Sequence, residues 1–267
     1  MSRKVKSRKM SRKMSRKMSR KVKFNMKKTL SNLDTDTMGL VSSFLTTEEK
    51  LNLAKVNKQL YTDTGFNPLN PNPRMWTKVK FNREATNDDL KHFVKLAPNV
   101  KELDLTYCAN IEDLEGIEKL KKLEILNLNY TGISNIKPLK NLKNLKELFL
   151  KGLYELDNIK PIKNLNMLEN LDISETVVSN LGPLRNLENL KYLDLSTTRI
   201  SNLEPLRNLE NLKYLNLEYN QDINNVEPLR NLEKLTYLNI SNTSVNNVEP
   251  LAELYDLTIE TTEDLLF

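Results

Sequence analysis

A phrase of 22 or 23 residues recurs seven times between Val100 and Leu254, most plainly where ENLKYLDLSTTRISNLEPLRNL is followed at once by ENLKYLNLEYNQDINNVEPLRNL. The paired apolar positions Leu103/Leu105, Leu126/Leu128, Leu148/Leu150, Leu171/Ile173, Leu193/Leu195, Leu215/Leu217 and Leu238/Ile240 step by 23, 22, 23, 22, 22 and 23 residues. A period in this range builds a solenoid, because one unit cannot bury its apolar face alone and must stack on its neighbours. Leu-x-Leu with polar partners follows the period of two of a strand, so each unit predicts one short strand whose two leucines point inward. Stacked strands of this kind must run parallel.

Each unit then places an apolar residue at Ile133, Val178, Ile200 or Val245, another at Ile136, Leu181, Leu203 or Val248, and a Pro-Leu or Pro-Ile pair. Pro138, Pro161, Pro183, Pro205, Pro228 and Pro250 mark the return arm, where proline fits an extended segment or the first turn of a short helix but not a central strand. The first unit has Gly116 there instead. The extra residue of the longer units always falls in one place. Thr131, Thr176, Thr198 and Thr243 sit two positions before the next apolar residue, whereas Cys108, Leu153 and Asn220 sit three before Ile111, Leu156 and Ile223. The insertions therefore predict loop bulges that leave the strands in register.

This pattern resembles the leucine-rich repeat family in its short 22-residue class, over more than half of the chain. The resemblance implies an α/β solenoid with a parallel concave sheet. In that family the column after the strand stacks asparagines that satisfy backbone groups; here it is mostly threonine, with one donor against two on an amide, and Leu153 has none. The third turn is accordingly expected to be the least regular. Cys108 falls in the same inward column, which points to packing rather than reactivity. One cysteine forms no intramolecular disulfide, and extracellular members of the family commonly carry disulfide caps, so a reducing compartment is expected. No run approaches the roughly 18 apolar residues of a membrane span, and the N-terminus lacks the apolar stretch of a secretory signal. The expectation is a soluble protein, cytoplasmic or nuclear, with no membrane partner.

Residues 1–28 hold fourteen Lys or Arg and no acid, leaving 27 basic residues against 35 acidic ones in the rest of the chain, so the net charge of +6 hides a cationic tail and an acidic body. Ser-Arg-Lys recurs from Ser2, Ser7, Ser11, Ser15 and Ser19. Such a low-complexity segment cannot build a core and is expected to be disordered alone. Three readings stay open: a nuclear-import or nucleic-acid-binding arm, a polycation for a partner or for the chain's own body, and an extension with no selected role. Binding to phosphates would weaken steeply with salt, and base stacking has no support before Phe24.

Between tail and repeats, Leu30 to Thr64 reads as a compact helical unit. Asp34 to Thr37 supply N-cap candidates before Met38, Leu40, Val41, Phe44 and Leu45, Thr46 with Glu49 forms a capping-box pattern, and Leu53, Val56 and Leu60 follow at helical spacing. With its leading Leu30, the Phe44-Leu45 pair before a short acidic turn, Leu51 opening the next helix and VNKQLY at Val56 to Tyr61, the segment resembles an F-box. Ser31 stands where that family usually has Pro, and Leu60 where it has an aromatic. The following NPRMWTKVKF, Asn72 to Phe81, looks like the Trp-bearing linker that often joins an F-box to leucine-rich repeats, with Trp76 expected to pack on the helices or the first turn. The resemblance implies that Leu30, Val41, Phe44, Leu45, Leu51, Val56 and Leu60 bind a Skp1-type adaptor of a cullin ubiquitin ligase. The other reading makes these helices a cap for the open end of the solenoid. The organisation expected is a basic tail 1–28, an F-box-like domain 29–65, a linker and N-terminal cap 66–99, seven repeats 100–254, and a partial repeat 255–267 in which Leu257 and Ile259 look like an eighth strand.

Catalysis has no carrier. His92 is the sole histidine, on a predicted helix with Leu90 and Phe93, no Cys/His cluster has metal-ligand spacing, and the six glycines are scattered singly, so no catalytic residue, metal or cofactor is expected. Function falls to the concave columns. One reads Glu102, Ile125, Glu147, Asn170, Tyr192, Tyr214, Tyr237, and the central one Asp104, Asn127, Phe149, Asp172, Asp194, Asn216, Asn239. Exposed Tyr is a preferred interface anchor, although neighbouring rings also stack laterally to support a sheet. Phe149, Asp172, Tyr192, Asp194, Tyr214, Asn216, Tyr237 and Asn239 are thus the target-binding candidates. The whole reads as a non-enzymatic F-box-like receptor holding an unknown protein target. A repeat scaffold without a ligase link and a nucleic-acid-associated protein led by its tail are the alternatives. The Asn-, Lys- and Ile-rich wording resembles proteins of large DNA viruses, which would place it in a host cell.

Overall fold

The computed structural model describes residues 77–262 and the backbone of Leu60 and Tyr61. Ten strands form one sheet in chain order: β1 (Leu60–Tyr61), β2 (Lys78–Phe81), β3 (Glu102–Asp104), β4 (Ile125–Asn127), β5 (Glu147–Phe149), β6 (Asn170–Asp172), β7 (Tyr192–Asp194), β8 (Tyr214–Asn216), β9 (Tyr237–Asn239) and β10 (Thr258–Glu260). β1 pairs antiparallel to β2, and all later pairs are parallel. Each predicted repeat strand is present and β10 supplies the eighth. Leu103, Leu126, Leu148, Leu171, Leu193, Leu215 and Leu238 lie in one register column, each at most 1% exposed. The longer units bulge between strands and never shift this column, because a one-residue slip would turn every leucine to solvent.

The return arm is a 3-10 turn in every repeat, as at Lys137–Asn141, Glu204–Leu206 and Glu227–Leu229, with proline in the first two positions from the second repeat on. Its entry is closed by a polar column: the Oδ1 atoms of Asp113, Asn135, Asn158, Asn180, Asn202, Asn225 and Asn247 accept the N–H two residues on at 2.8–3.0 Å. Asparagine therefore does most of its stacked work here, before the proline, and only at Asn220 in the column after the strand. In that latter column the hydroxyls of Thr131, Thr176, Thr198 and Thr243 donate to the carbonyl three residues back at 2.7–2.9 Å. Asn220 reaches further, donating to Leu217 O and Leu195 O while accepting from the Thr198 hydroxyl.

The third turn departs from expectation. Leu153 has no side-chain bond to give, yet its backbone closes the turn as at Cys108, Thr131 and Thr243, with Leu153 N to Leu150 O at 3.3 Å and Leu156 N to Leu153 O at 2.9 Å, and the side chain is buried. Two backbone bonds and apolar packing suffice where the hydroxyl is missing, so this turn is no looser than that of Thr243, whose N–O distance is also 3.3 Å.

The third residue beyond the strand in each repeat is left-handed: Tyr107, Tyr130, Gly152, Glu175, Thr197, Tyr219 and Asn242 have φ between 54° and 71°. This turns each chain so that its N–H reaches the next repeat, from Tyr107 N to Asn129 O at 2.9 Å through to Tyr219 N to Ser241 O at 3.0 Å. An L residue there costs about 1–2 kcal/mol, most for a β-branched one such as Thr197, and the inter-repeat bond offsets it.

The first-repeat end is closed by α1 (Asn87–Leu96), whose first turn is held by Asp89 Oδ2 accepting from the Thr86 N–H and hydroxyl at 3.0 and 2.8 Å. Leu90, Phe93 and Val94 are buried, and Phe93 meets Phe81 edge to face at 5.2 Å. One correction concerns Leu60: its helical spacing from Val56 predicts a helix, but Leu60–Tyr61 form a strand against β2, where Leu60 opposes Phe81 and backbone pairing to a sheet edge replaces helical bonding. Leu30, Val41, Phe44, Leu45, Leu51, Val56, Trp76 and the tail 1–28 lie outside the described residues.

Candidate interaction surface

The concave columns are where the sequence placed them, but they divide the work unequally. The central column closes strand ends. Oδ1 of Asp104, Asn127, Asp172, Asp194, Asn216 and Asn239 accepts the N–H two residues on at 2.8–3.1 Å, and Thr106, Ser174 and Ser196 add their hydroxyls at 2.5–2.7 Å. Asn216 and Asn239 are buried, at 9% and 7% exposure, and so offer a partner little more than shape. Phe149 has no acceptor, and the N–H of Lys151 that it leaves is taken by Asn129 Oδ1 of the preceding repeat at 2.9 Å. A half-buried aromatic is thus inserted into a polar column with its backbone consequence repaired next door.

The carboxylates in this column differ by neighbours. Asp104 is penalised first by burial, but hydrogen bonds from Thr106 and the Lys80 ammonium at 2.9 Å outweigh it and hold its pKa below the usual range. For Asp172 burial wins, reinforced by the charge of Asp194, and its pKa rises despite the bonds from Ser174.

Tyr192, Tyr214 and Tyr237 form one stack, with centroids 4.4 and 4.5 Å apart and planes within 10°. Lateral stacking therefore takes up the ring faces and leaves ring edges and hydroxyls to the concave surface. Burial and then the charge of Asp194 push the Tyr192 phenol upward, and burial and then Glu260, bonded to its hydroxyl at 2.5 Å, do so for Tyr237. All three stay neutral donors at neutral pH. Most cations on this face are paired across repeats: Lys78–Glu102 at 2.6 Å, Lys101 and Lys146 on Glu124 at 2.7 and 2.8 Å, and Lys191–Glu169 at 2.6 Å.

A second aromatic row on the rim escaped the sequence reading. Arg83 lies 4.7 Å over the Tyr107 ring, Tyr107 stacks on Tyr130 at 5.0 Å, and Tyr130 lies over Gly152, where a Cβ would collide with its ring. Beyond it Glu175 receives both the Tyr130 hydroxyl at 3.3 Å and the Lys151 ammonium at 3.1 Å. The available signal was the left-handed column itself, which reads Tyr107, Tyr130, Gly152, Glu175, Thr197, Tyr219 and Asn242.

Cys108 is fully buried, its thiol donates to Asn82 O at 3.1 Å, and burial followed by the Asp104 charge pushes its pKa up to about 12. His92 is half-buried on α1, and among the described residues no cluster of His, Cys, Asp and Glu could hold a metal ion. No helix among them is long and apolar enough to cross a membrane.

Residues 98–141 match the family model for leucine rich repeats in two copies. No curated protein matches the chain. Among solved structures, an internalin (inlF) from Listeria monocytogenes is 25% identical, with a TM-score of 0.64 over 78% of this chain and 66% of that one. Internalin C2 from the same organism is also 25% identical, with a TM-score of 0.57 over 67% of this chain and 84% of that one. The functional domain of InlJ, which includes a cysteine ladder, shares the fold at 16% identity and a TM-score of 0.50, over 63% of this chain and 40% of that one. The repeats are leucine-rich repeats, on a parallel-sheet solenoid with few helices. An F-box and a viral origin find no counterpart in these comparisons.

Proposed function

We propose that the concave sheet holds an extended segment of a protein partner, with Phe149 and the Tyr192/Tyr214/Tyr237 stack as anchors. The observation that carries this reading is the insertion of aromatic area into a face whose cations are mostly paired across repeats. Such a face offers aromatic anchors and phenolic hydroxyls where few cations compete, the chemistry of a protein interface core. Asp172 and Asp194 at the floor favour a basic or amide-rich segment. Proteins built of leucine-rich repeats mediate protein–protein interactions, and no step of this reading requires chemistry from the chain.

The finer assignment is that residues 29–65 dock this receptor on a Skp1-type adaptor, in the cytoplasm or nucleus of a host cell, so that the bound protein is ubiquitinated. Its support is the order Leu30, Phe44-Leu45, Leu51, Val56 ahead of the repeats. Two measurements separate the levels. Partners captured by the intact chain should be lost on combining Phe149→Ala with Tyr214→Ala at unchanged circular dichroism; capture that survives removes the concave site. Co-purification with Skp1 should be lost in Leu45→Asp or Val56→Asp, and a folded chain that never binds Skp1 leaves a repeat scaffold without a ligase link.

A further inference from the structure

The convex face carries a charge reversal at matched positions. Just before the proline, the seven repeats place Glu115, Lys137, Lys160, Gly182, Glu204, Glu227 and Glu249; three residues later they place Glu118, Lys140, Lys163, Arg185, Arg207, Arg230 and Ala252. In the fifth and sixth repeats the two positions neutralise each other, Arg207 with Glu204 at 3.5 Å and Arg230 with Glu227 at 2.7 Å. In the second and third, lysine replaces the acid. Like charges then face each other at a spacing where opposite charges attract, and among the described residues Lys137, Lys140, Lys160 and Lys163 make no ion pair.

These lysines, with Lys143, line a groove of about 790 Å³ whose only carboxylate is Asp157 and whose remaining walls are Ser, Asn and Pro. Lys143 is fixed there by its ammonium donating to Asn164 O at 3.1 Å. On the first-repeat side the groove is bounded by Asp113, Glu115 and Glu118, which line the adjoining hollow. The groove is therefore two repeats wide, about 10 Å at the spacing of neighbouring strands.

We propose that this groove binds the phosphate backbone of a single nucleic-acid strand without reading its sequence. The lining decides between anionic partners. A protein interface is depleted in Lys and needs aromatic or aliphatic anchors, which this groove lacks, whereas nucleic-acid interfaces are polar and strongly positive. The same absence of aromatics removes base stacking, so contacts fall on phosphates, from Lys ammonium groups and Asn amides. A second strand of a duplex would meet the acidic boundary. The fourteen cations of residues 1–28 give the same chain a second polyanion-binding element. The site is on the face opposite to the concave one and stands independently of the reading given for it.

The test measures fluorescence anisotropy of a labelled 20-nucleotide single strand with the full chain across a salt titration. The paired substitution Lys137→Glu and Lys160→Glu restores the Glu found in later repeats, so it pairs Lys140 and Lys163 and leaves folding intact, checked by thermal melting. Arg207→Glu with Arg230→Glu changes net charge equally and is the control. The groove variant should weaken binding about tenfold or more at 100 mM salt and reduce the slope of log K against log salt by about 3, for four lysines removed or neutralised, while the control changes affinity less than about twofold. Equal losses in both variants, or none in either, overturn the groove and leave the tail as the binding element. Binding of a poly-glutamate peptide in preference to the strand overturns the assignment to nucleic acid.

Discussion

The two ends of the solenoid solve the same problem differently. At the first-repeat end β2 and α1 lie over the open stack, Leu90 and Phe93 have no exposed surface, and Lys78 and Lys80 neutralise Glu102 and Asp104 across the sheet. At the other end burial fades: Val245 and Leu254 are 8% exposed, Leu257 and Ile259 only partly covered, and Tyr255 92% exposed. β10 is paired on one side, and among the described residues nothing pairs the other. The comparison teaches that the repeat is self-similar in sequence but not in burial, and a unit gains stability from each neighbour that covers it.

The largest effect that would break this contrast is Phe93→Ala. It should cost about 3–5 kcal/mol in chemical denaturation, as deletion of a fully buried ring does, and a loss below about 1 kcal/mol would make the two ends equivalent. Ile259→Ala, at a half-covered site, should cost about 1 kcal/mol or less. Hydrogen exchange sharpens the same point: the Ile240 N–H, bonded to Glu260 O at 2.9 Å, should exchange well before the Leu105 N–H, bonded to Asn127 O at 2.8 Å.

The smallest effect is electrostatic and carries opposite signs in one column. The folded pKa of Asp104 is depressed, so its stabilisation is present above its unfolded value near 4 and is lost as pH falls through the folded value. The folded pKa of Asp172 is raised, so its ionised form destabilises at neutral pH, and the penalty is relieved as pH falls through that pKa. Asp104→Asn should therefore lower stability at pH 7 and Asp172→Asn should not, each by a few tenths of a kcal/mol, because both sites remain partly solvated. Paired melting curves at pH 7 and pH 3 read this, and the same sign at both sites would remove Lys80 as the cause.

What was legible in the sequence follows from which signals are periodic. The strands, the inward leucines, the prolines of the return arm and the place of the 23rd residue all repeat in phase, and burial enforces each of them. The Tyr192/Tyr214/Tyr237 column was legible too, though not that its rings would take up one another's faces. The Asp and Asn column was legible as a surface but not as a set of turn closures, since the acceptor role depends on an N–H two residues away that a column reading does not consider. The left-handed positions were missed because Tyr107, Tyr130 and Thr197 are poor residues for that conformation, which is imposed by the bond to the next repeat. The lysine groove was missed because lysine at a turn reads as ordinary solvated charge until matched positions are compared.

The left-handed residue has a consequence for how such a chain can change its length. Each repeat restarts its geometry at that residue, and the bulged units, with Cys108, Leu153 and Asn220, place their extra residue immediately beyond it. A one-residue insertion is thereby absorbed locally and never accumulates as a phase error along the sheet. A copying slip that would scramble a continuous strand or helix is here confined to one loop. Units of 22 and 23 residues can be duplicated or exchanged in any order while the array stays in step.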